Sequence, residues 1–267
     1  MSIGQAIPIA SLEDPRISVY ANLRHRDVSA DGGRFVAEGH WVVKRLIASS
    51  YTIESLLVQQ GLESKYADGV PESVPIFTLS RDRLGALVGF DFHRGVLACG
   101  LRPRVQSAQD FLNARPRPRL AVMLLGVTEL ENVGSILRSA AAFGIDHILF
   151  DDAAADPLSR RVVRVSMATV FKHQLFSLDR SAPDWLTRFH EAGFRTLAAT
   201  LDPSATAVTD FASSPVPRVL MVGNEAKGID PSIQALATDR ITIPMQLGTD
   251  SLNVAVASAI LMHALRE

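Results

Sequence analysis

Three stretches in the second half of this 267-residue chain gather residue types that could act on a polar substrate. In the first, Glu131 to Asp146 (ENVGSILRSAAAFGID), Ser135 and Arg138 stand three residues apart and share one helix face near a helix N-terminus that favours anions. Asn132 reads as the cap of that helix and Gly144 as its stop; a plain cap and a surface charge are the competing reading of Asn132 and Arg138. In the second, Val219 to Asp230 (VLMVGNEAKGID), an apolar run stops at Gly223 and enters a loop with Asn224, Glu225 and Gly228. Its glycines permit positive φ or close approach of a backbone or ligand, as they would in an ordinary turn. In the third, Ile241 to Leu265, a short strand ending at Pro244 leads through Met245, Ser251, Leu252 and Asn253 into an apolar helix that Ser251 or Asn253 can cap.

The elements around these stretches follow a βαβα rhythm. Strands are expected at Leu120–Val127, His147–Phe150, Arg195–Thr200, Val219–Val222 and Ile241–Ile243, with helices at Val133–Phe143, Arg160–Phe171, Pro183–Ala192 and Val254–Leu265. That alternation predicts an α/β fold with a parallel sheet covered on both faces and ligands at the carboxyl ends of its strands. No G-x-G-x-x-G, P-loop, G-x-S-x-G or H-E-x-x-H pattern occurs, so dinucleotide binding, P-loop phosphate binding, elbow-type hydrolysis and zinc proteolysis lose their sequence support.

The first half reads as a smaller α/β unit, with a helix at Trp41–Ser49 and strands at Ile53–Gln59 and Gly95–Gly100. Arg16, Arg24, Arg26, Arg34 and Arg45, with His25 and Lys44, form either an RNA-binding face or a solvated one. The Pro- and Arg-rich stretch before Leu120 disfavours helix and central strand. The expected organisation is therefore a small α/β domain at 1–104, a linker at 105–118 and a second domain at 119–267.

Composition narrows the partners. With 47% hydrophobic and 21% charged residues the chain is of ordinary globular type. A formal net charge of −1 excludes a chain-wide polycation, although residues 1–119 hold 15 basic against 12 acidic groups and residues 120–267 hold 12 against 16. A single cysteine, Cys99, flanked by Ala98 and Gly100, reads as a buried strand residue. The absence of a disulfide pair, of metal-ligand spacing and of a long apolar run sets the expectation of a cytoplasmic protein without metal or membrane span.

Taken in order, N-V-G-x-x-x-R-x-A-x-x-F-G, V-G-N-E-A-x-G, and I-P-M ahead of S-L-N-V resemble the three motifs of the SpoU (TrmH) family of RNA 2′-O-ribose methyltransferases. The resemblance covers about the last 150 residues. More loosely, FVAEGHWVVKRLI (Phe35–Ile47) and FHRGVLA (Phe92–Ala98) resemble the small α/β substrate-binding domain that precedes the catalytic domain in many members.

The resemblance implies a catalytic domain with a deep trefoil knot, an exception among folds, that holds S-adenosylmethionine between the second and third motifs. Those positions are Gly223, Asn224, Glu225, Gly228, Ile243, Met245, Ser251, Leu252 and Asn253. It also implies a homodimer through the knot region, with Val254, Ala257, Ile260, Leu261 and Leu265 of the last helix facing a partner or their own sheet. Arg138 becomes the residue nearest the reaction, with Asn132 and Glu225 beside it as further catalytic candidates. Because a guanidinium keeps its proton, Arg138 is read as a clamp on phosphate and a donor to the developing oxyanion rather than as a base.

Arg160, Arg161 and Arg164, with Lys172 and His173, would flank an entering RNA or form a solvated face, joining Arg24, Arg26, Arg34 and Lys44 as RNA-binding candidates. Ala168 stands where members often carry glycine in an S-M-G stretch, which implies a slightly narrowed donor pocket. Family habit points to ribosomal RNA. Transfer RNA, a noncatalytic dimeric RNA-binding protein and base methylation are the alternatives.

Overall fold

The run LAVMLL is apolar throughout, the pattern of a parallel strand covered on both faces. In the computed structural model it forms the strand Leu120–Leu125 with every side chain buried. The structure describes residues 6–24, 33–67, 69–182, 184–211 and 215–266.

The chain begins with β1 (Ile7–Pro8), β2 (Arg34–Glu38), α1 (His40–Ile47), β3 (Ile53–Gln59), α2 (Ser64–Ala67), β4 (Ile76–Leu79), α3 (Arg81–Val88) and β5 (Val96–Leu101). It continues with β6 (Gln106–Ser107), α4 (Ala108–Asn113), β7 (Leu120–Leu125), α5 (Leu130–Ala142), β8 (His147–Asp151) and α6 (Arg160–Val165). The remainder is β9 (Gln174–Leu178), α7 (Trp185–Glu191), β10 (Arg195–Ala199), β11 (Thr206–Ala207), β12 (Arg218–Gly223), α8 (Pro231–Leu236), β13 (Asp239–Thr242) and α9 (Val254–Leu265). Two compact units result: Met1–Pro103 with Pro157–Phe171, and Arg104–Asp156 with Lys172–Glu267.

The first unit holds a five-stranded sheet in the order β1-β4-β3-β5-β2. β1, β4 and β3 are parallel, and β5 runs antiparallel to β3 and β2. Tyr20, Leu57, Leu84, Leu97 and Cys99 lie in its core. Burial and a hydrogen bond to the Glu54 carboxylate push the Cys99 thiol well above its ordinary pKa, so it is an unreactive strand residue.

α6 belongs to this unit because it supplies the counter-charge of a buried acid. Glu38 is 2% exposed and receives the Arg160 guanidinium at 2.5 Å, with Arg94 at 3.4 Å and Arg164 at 3.9 Å. Arg160 also donates to the Leu23 carbonyl at 2.9 Å and stacks over Phe90. A carboxylate taken out of water is tolerated only with such partners.

Two expectations are corrected here. The stretch 105–118 is not a free linker: it contains β6 and α4, and Phe111 of α4 is fully buried in the core of the second unit. A capping box of Ser107 and Asp110 starts that helix despite the neighbouring prolines. The helix expected over Arg160–Phe171 ends at Val165, where Met167 and Ala168 take left-handed φ of 52° and 62° and donate back to the Arg164 and Val163 carbonyls.

The second unit is an all-parallel eight-stranded sheet, β11-β13-β10-β12-β7-β8-β9-β6. Its centre is β12 beside β7, the two most continuously apolar strands. α9 packs against α5 and β12. Its last turn is pinned by the fully buried Arg218, which donates to the Leu265 carbonyl at 2.7 Å. Burial lowers the Arg218 pKa, with Arg119 and Arg195 adding to the effect. Among the described residues no helix is long and apolar enough to cross a membrane.

Candidate functional site: a pocket braced by three loops

At the carboxyl end of β12 the chain turns sharply over Gly223. A Cβ built there would lie 2.3 Å from the Gly228 carbonyl carbon and 2.4 Å from the Ile229 nitrogen, so only glycine fits. The turn closes through paired backbone hydrogen bonds between Asn224 and Gly228. The Asn224 side chain accepts from the Ala226 and Lys227 amides and donates to the Gly126 carbonyl at 2.9 Å. That last bond ties the turn to the end of β7.

Beside it lies a cavity of about 380 Å³, within the size range of small-molecule sites. Apolar side chains, Val222, Ile241, Ile243, Met245, Leu252 and Leu261, line it together with the Asn224–Gly228 turn. Of the positions assigned to the donor, Gly223, Asn224, Glu225, Gly228, Ile243, Met245, Ser251 and Leu252 border this cavity. Asn253 is absent from the lining and is the N-cap of α9, accepting from Ala255 and Val256. The far wall, Ala199 to Asp202, was not anticipated. Its signal was available, since it is the carboxyl end of another strand of the same parallel sheet.

Asn132 is not the cap of α5. It sits inside the first turn, 4% exposed. The helix entrance is held from another loop: Glu225 accepts from the Thr128 and Glu129 amides at 3.2 and 3.0 Å and from the Thr128 hydroxyl at 3.2 Å. Asn132 donates to Glu225 and to Glu129, both at 3.0 Å, and accepts from the Asn253 amide at 2.9 Å. All three motif stretches thus meet in one hydrogen-bond network. Burial works against the Glu225 charge, yet the Asn132 side chain and the Glu129 and Thr128 amides outweigh it and hold the carboxyl below its ordinary pKa. A carboxylate so occupied braces the site and is a poor proton acceptor.

A second brace escaped the sequence reading. Buried Asp151, at the end of β8, accepts from the Gly126 and Ala154 amides and from Arg180 at 2.7 Å. It fixes the turn that receives Asn224. An isolated Asp at a strand end carries no distinguishing sequence pattern.

Arg138 is exposed on α5, outside this network, and makes no hydrogen bond or ion pair with the described residues. The arginines assigned to RNA have diverse surroundings. Arg24, Lys44 and Arg161 are exposed, and Arg34 pairs bidentately with Glu54. Arg160 is largely consumed by Glu38 and the Leu23 carbonyl, which corrects its assignment as an open RNA contact. Arg164 keeps a long contact to the same acid. Arg26 and its neighbour His25 lie outside the described residues. Of the apolar positions given to a partner-facing α9, Leu261 and Leu265 are buried, Val254 and Ala257 are half-buried and Ile260 is 40% exposed; Val256, not among them, is 49% exposed. Ala168 is not among the residues that line the cavity.

A parallel sheet with a braced cavity at its carboxyl ends is the frame of an α/β enzyme that binds a small molecule. Residues 119–263 match the SpoU rRNA Methylase family. An uncharacterized tRNA/rRNA methyltransferase of Mycobacterium tuberculosis, Rv0881, is 36% identical over 262 residues, covering 94% of this chain and 88% of its own. The 23S rRNA (guanosine(2553)-2′-O)-methyltransferase RlmP of Bacillus subtilis is 22% identical and covers 97% of this chain and 98% of its own. The crystal structure of the AdoMet-bound rRNA methyltransferase from Sinorhizobium meliloti shares the fold, with a TM-score of 0.83, 22% identity and 97% coverage of both chains. The chain belongs to the SpoU rRNA methylase family and is an RNA methyltransferase.

Proposed function

We propose that the chain transfers a methyl group from S-adenosylmethionine to a ribose 2′-hydroxyl of ribosomal RNA. The observation that carries this reading is the apolar cavity bounded by the Gly223–Gly228 turn and the Ile243–Leu252 segment. Aliphatic walls suit an adenine face, and a turn drawn in so tightly that Gly223 has no room for a Cβ presents backbone groups to the ligand's polar edges. The residues present therefore fit the donor. When bound, it supplies an electrophilic methyl on a sulfonium.

The rest of the chemistry is positioning, which alone can account for a large part of a rate enhancement. Arg138, with its donors uncommitted among the described residues, is the residue to clamp RNA phosphate and stabilise the oxygen as it passes its proton to water. Asn132 and Glu225 are positioning residues that hold α5 against the donor loops. The Bacillus subtilis relative, named for 2′-O-methylation of 23S rRNA and matched along nearly all of both chains, supports ribose over base and ribosomal over transfer RNA. The trefoil knot and a dimer across the exposed Val256 and Ile260 face of α9 are part of the same proposal. They draw on the motif resemblance and the strand order β13-β10-β12-β7.

Calorimetry with S-adenosylmethionine tests the reading. One site per chain is expected, weakened at least tenfold in Gly223→Ala, whose Cβ must displace backbone; a folded wild-type chain that takes no donor would contradict it.

A further inference from the structure

The outward face of α1 carries Trp41, Lys44 and Arg45 at i, i+3 and i+4, while Val42, Val43 and Leu46 turn into the core. Trp41 is 63% exposed, an unusual state for a large aromatic side chain. Its indole is steadied edge-on by His40, with ring centroids 4.9 Å apart, and the His40 ring is hydrogen-bonded to the Tyr66 hydroxyl at 3.0 Å. At the start of the helix, Gly39 takes a φ of 96°, and a Cβ there would touch the Arg94 side chain at 3.1 Å. Arg94 therefore runs across the helix entrance at Gly39.

The charge at this place is fixed. Arg94, Arg160 and Arg164 converge on the single buried carboxylate of Glu38, so three positive groups face one negative. Arg160 is committed inward, whereas the Arg94 side chain is 47% exposed and its one contact to Glu38 is long. Lys44 is exposed and has no ion pair with the described residues. An aromatic face flanked by cations is the arrangement that stacks an unpaired base and holds the phosphates on either side of it.

We infer that Trp41, with Lys44 and Arg94, forms a docking surface for single-stranded RNA, with the indole stacking one unpaired base. This rests on the reading of the chain as an RNA-modifying enzyme, and it adds the conformation of the RNA sought: an unpaired loop or strand rather than a duplex.

The test uses the full chain and a labelled oligouridylate of about ten nucleotides, followed by fluorescence anisotropy, with an RNA duplex of equal length as comparison. The wild type is expected to prefer the single strand. Trp41→Ala should weaken that binding by about 10- to 100-fold and Trp41→Phe far less, since a phenyl ring still stacks. Lys44→Ala and Arg94→Ala should weaken it and flatten its salt dependence. Donor binding, followed in parallel by calorimetry, should not change in any variant. Oligouridylate bound by Trp41→Ala as tightly as by wild type, duplex bound in preference, or no binding of the single strand by wild type overturns the inference. Donor binding with Trp41-independent RNA binding would sink this inference alone. Trp41-dependent RNA binding without donor binding would sink the enzymatic reading instead.

Discussion

The side-chain amide of Asn132 donates to the Glu225 carboxylate across 3.0 Å, joining the first turn of α5 to the loop after β12. Because its carbonyl receives the Asn253 amide, one buried residue couples all three motif stretches. Asn132→Ala leaves Asn253 and Glu225 each short of a partner and is expected to cost about 1–3 kcal/mol. Denaturant unfolding measures that loss. Asn132→Asp, which sets a third carboxylate beside Glu225 and Glu129, should cost at least as much; wild-type stability in both variants would show that the network is incidental.

Glu225 gives the brace a pH signature. A carboxyl held below its ordinary pKa contributes stability that is full above the unfolded-state value and is lost as pH falls through the folded one. Glu225→Gln cannot accept from the same donors with both terminal atoms, so it should be less stable than wild type at neutral pH. That deficit should begin to shrink as pH falls below the unfolded glutamate value of about 4.3 and go on shrinking as pH passes through the lower folded one, where the wild-type carboxyl also loses its charge. A deficit independent of pH would contradict the assignment.

Glu38 is the buried counter-ion of the first unit. Removing one member of a buried ion pair strands the others, and Glu38→Ala, which leaves Arg94, Arg160 and Arg164 facing one another, is expected to cost about 3–5 kcal/mol. Thermal unfolding checks this, and a loss under about 1 kcal/mol would place the arginines in solvent rather than around an acid.

Arg138 should behave differently from these braces. Since it makes no hydrogen bond or ion pair with the described residues, Arg138→Ala is expected to leave stability and donor binding near wild type while lowering turnover by about 10²–10³, the loss typical of one preorganised donor. Undiminished turnover would remove Arg138 from the reaction.

The central strands were legible because burial on both faces leaves an unbroken apolar run, as in Leu120–Leu125 and Arg218–Gly223. β9, with Gln174 and Ser177 exposed among its apolar residues, shows no such run and was missed. α4 was hidden by the prolines around it, although Ser107 and Asp110 spell a helix start. The pocket-lining positions were legible through motif spacing. The roles of Asn132 and Glu225 were not, because a hydrogen bond between residues so distant in sequence leaves no periodic trace. Ala168 shows the reverse: its φ of 62° is a conformation in which glycine is relaxed, a backbone reason for the glycine that the motif resemblance leads one to expect there.

The most direct test of ribose methylation is to incubate the chain with unmodified ribosomal RNA and S-adenosylmethionine labelled in its methyl group, then hydrolyse the RNA in alkali. Alkaline cleavage needs a free 2′-hydroxyl, so methyl groups placed on ribose should be recovered in alkali-resistant dinucleotides. Label found in mononucleotides would assign the methyl to a base, and RNA that stays unlabelled would deny the activity on this substrate.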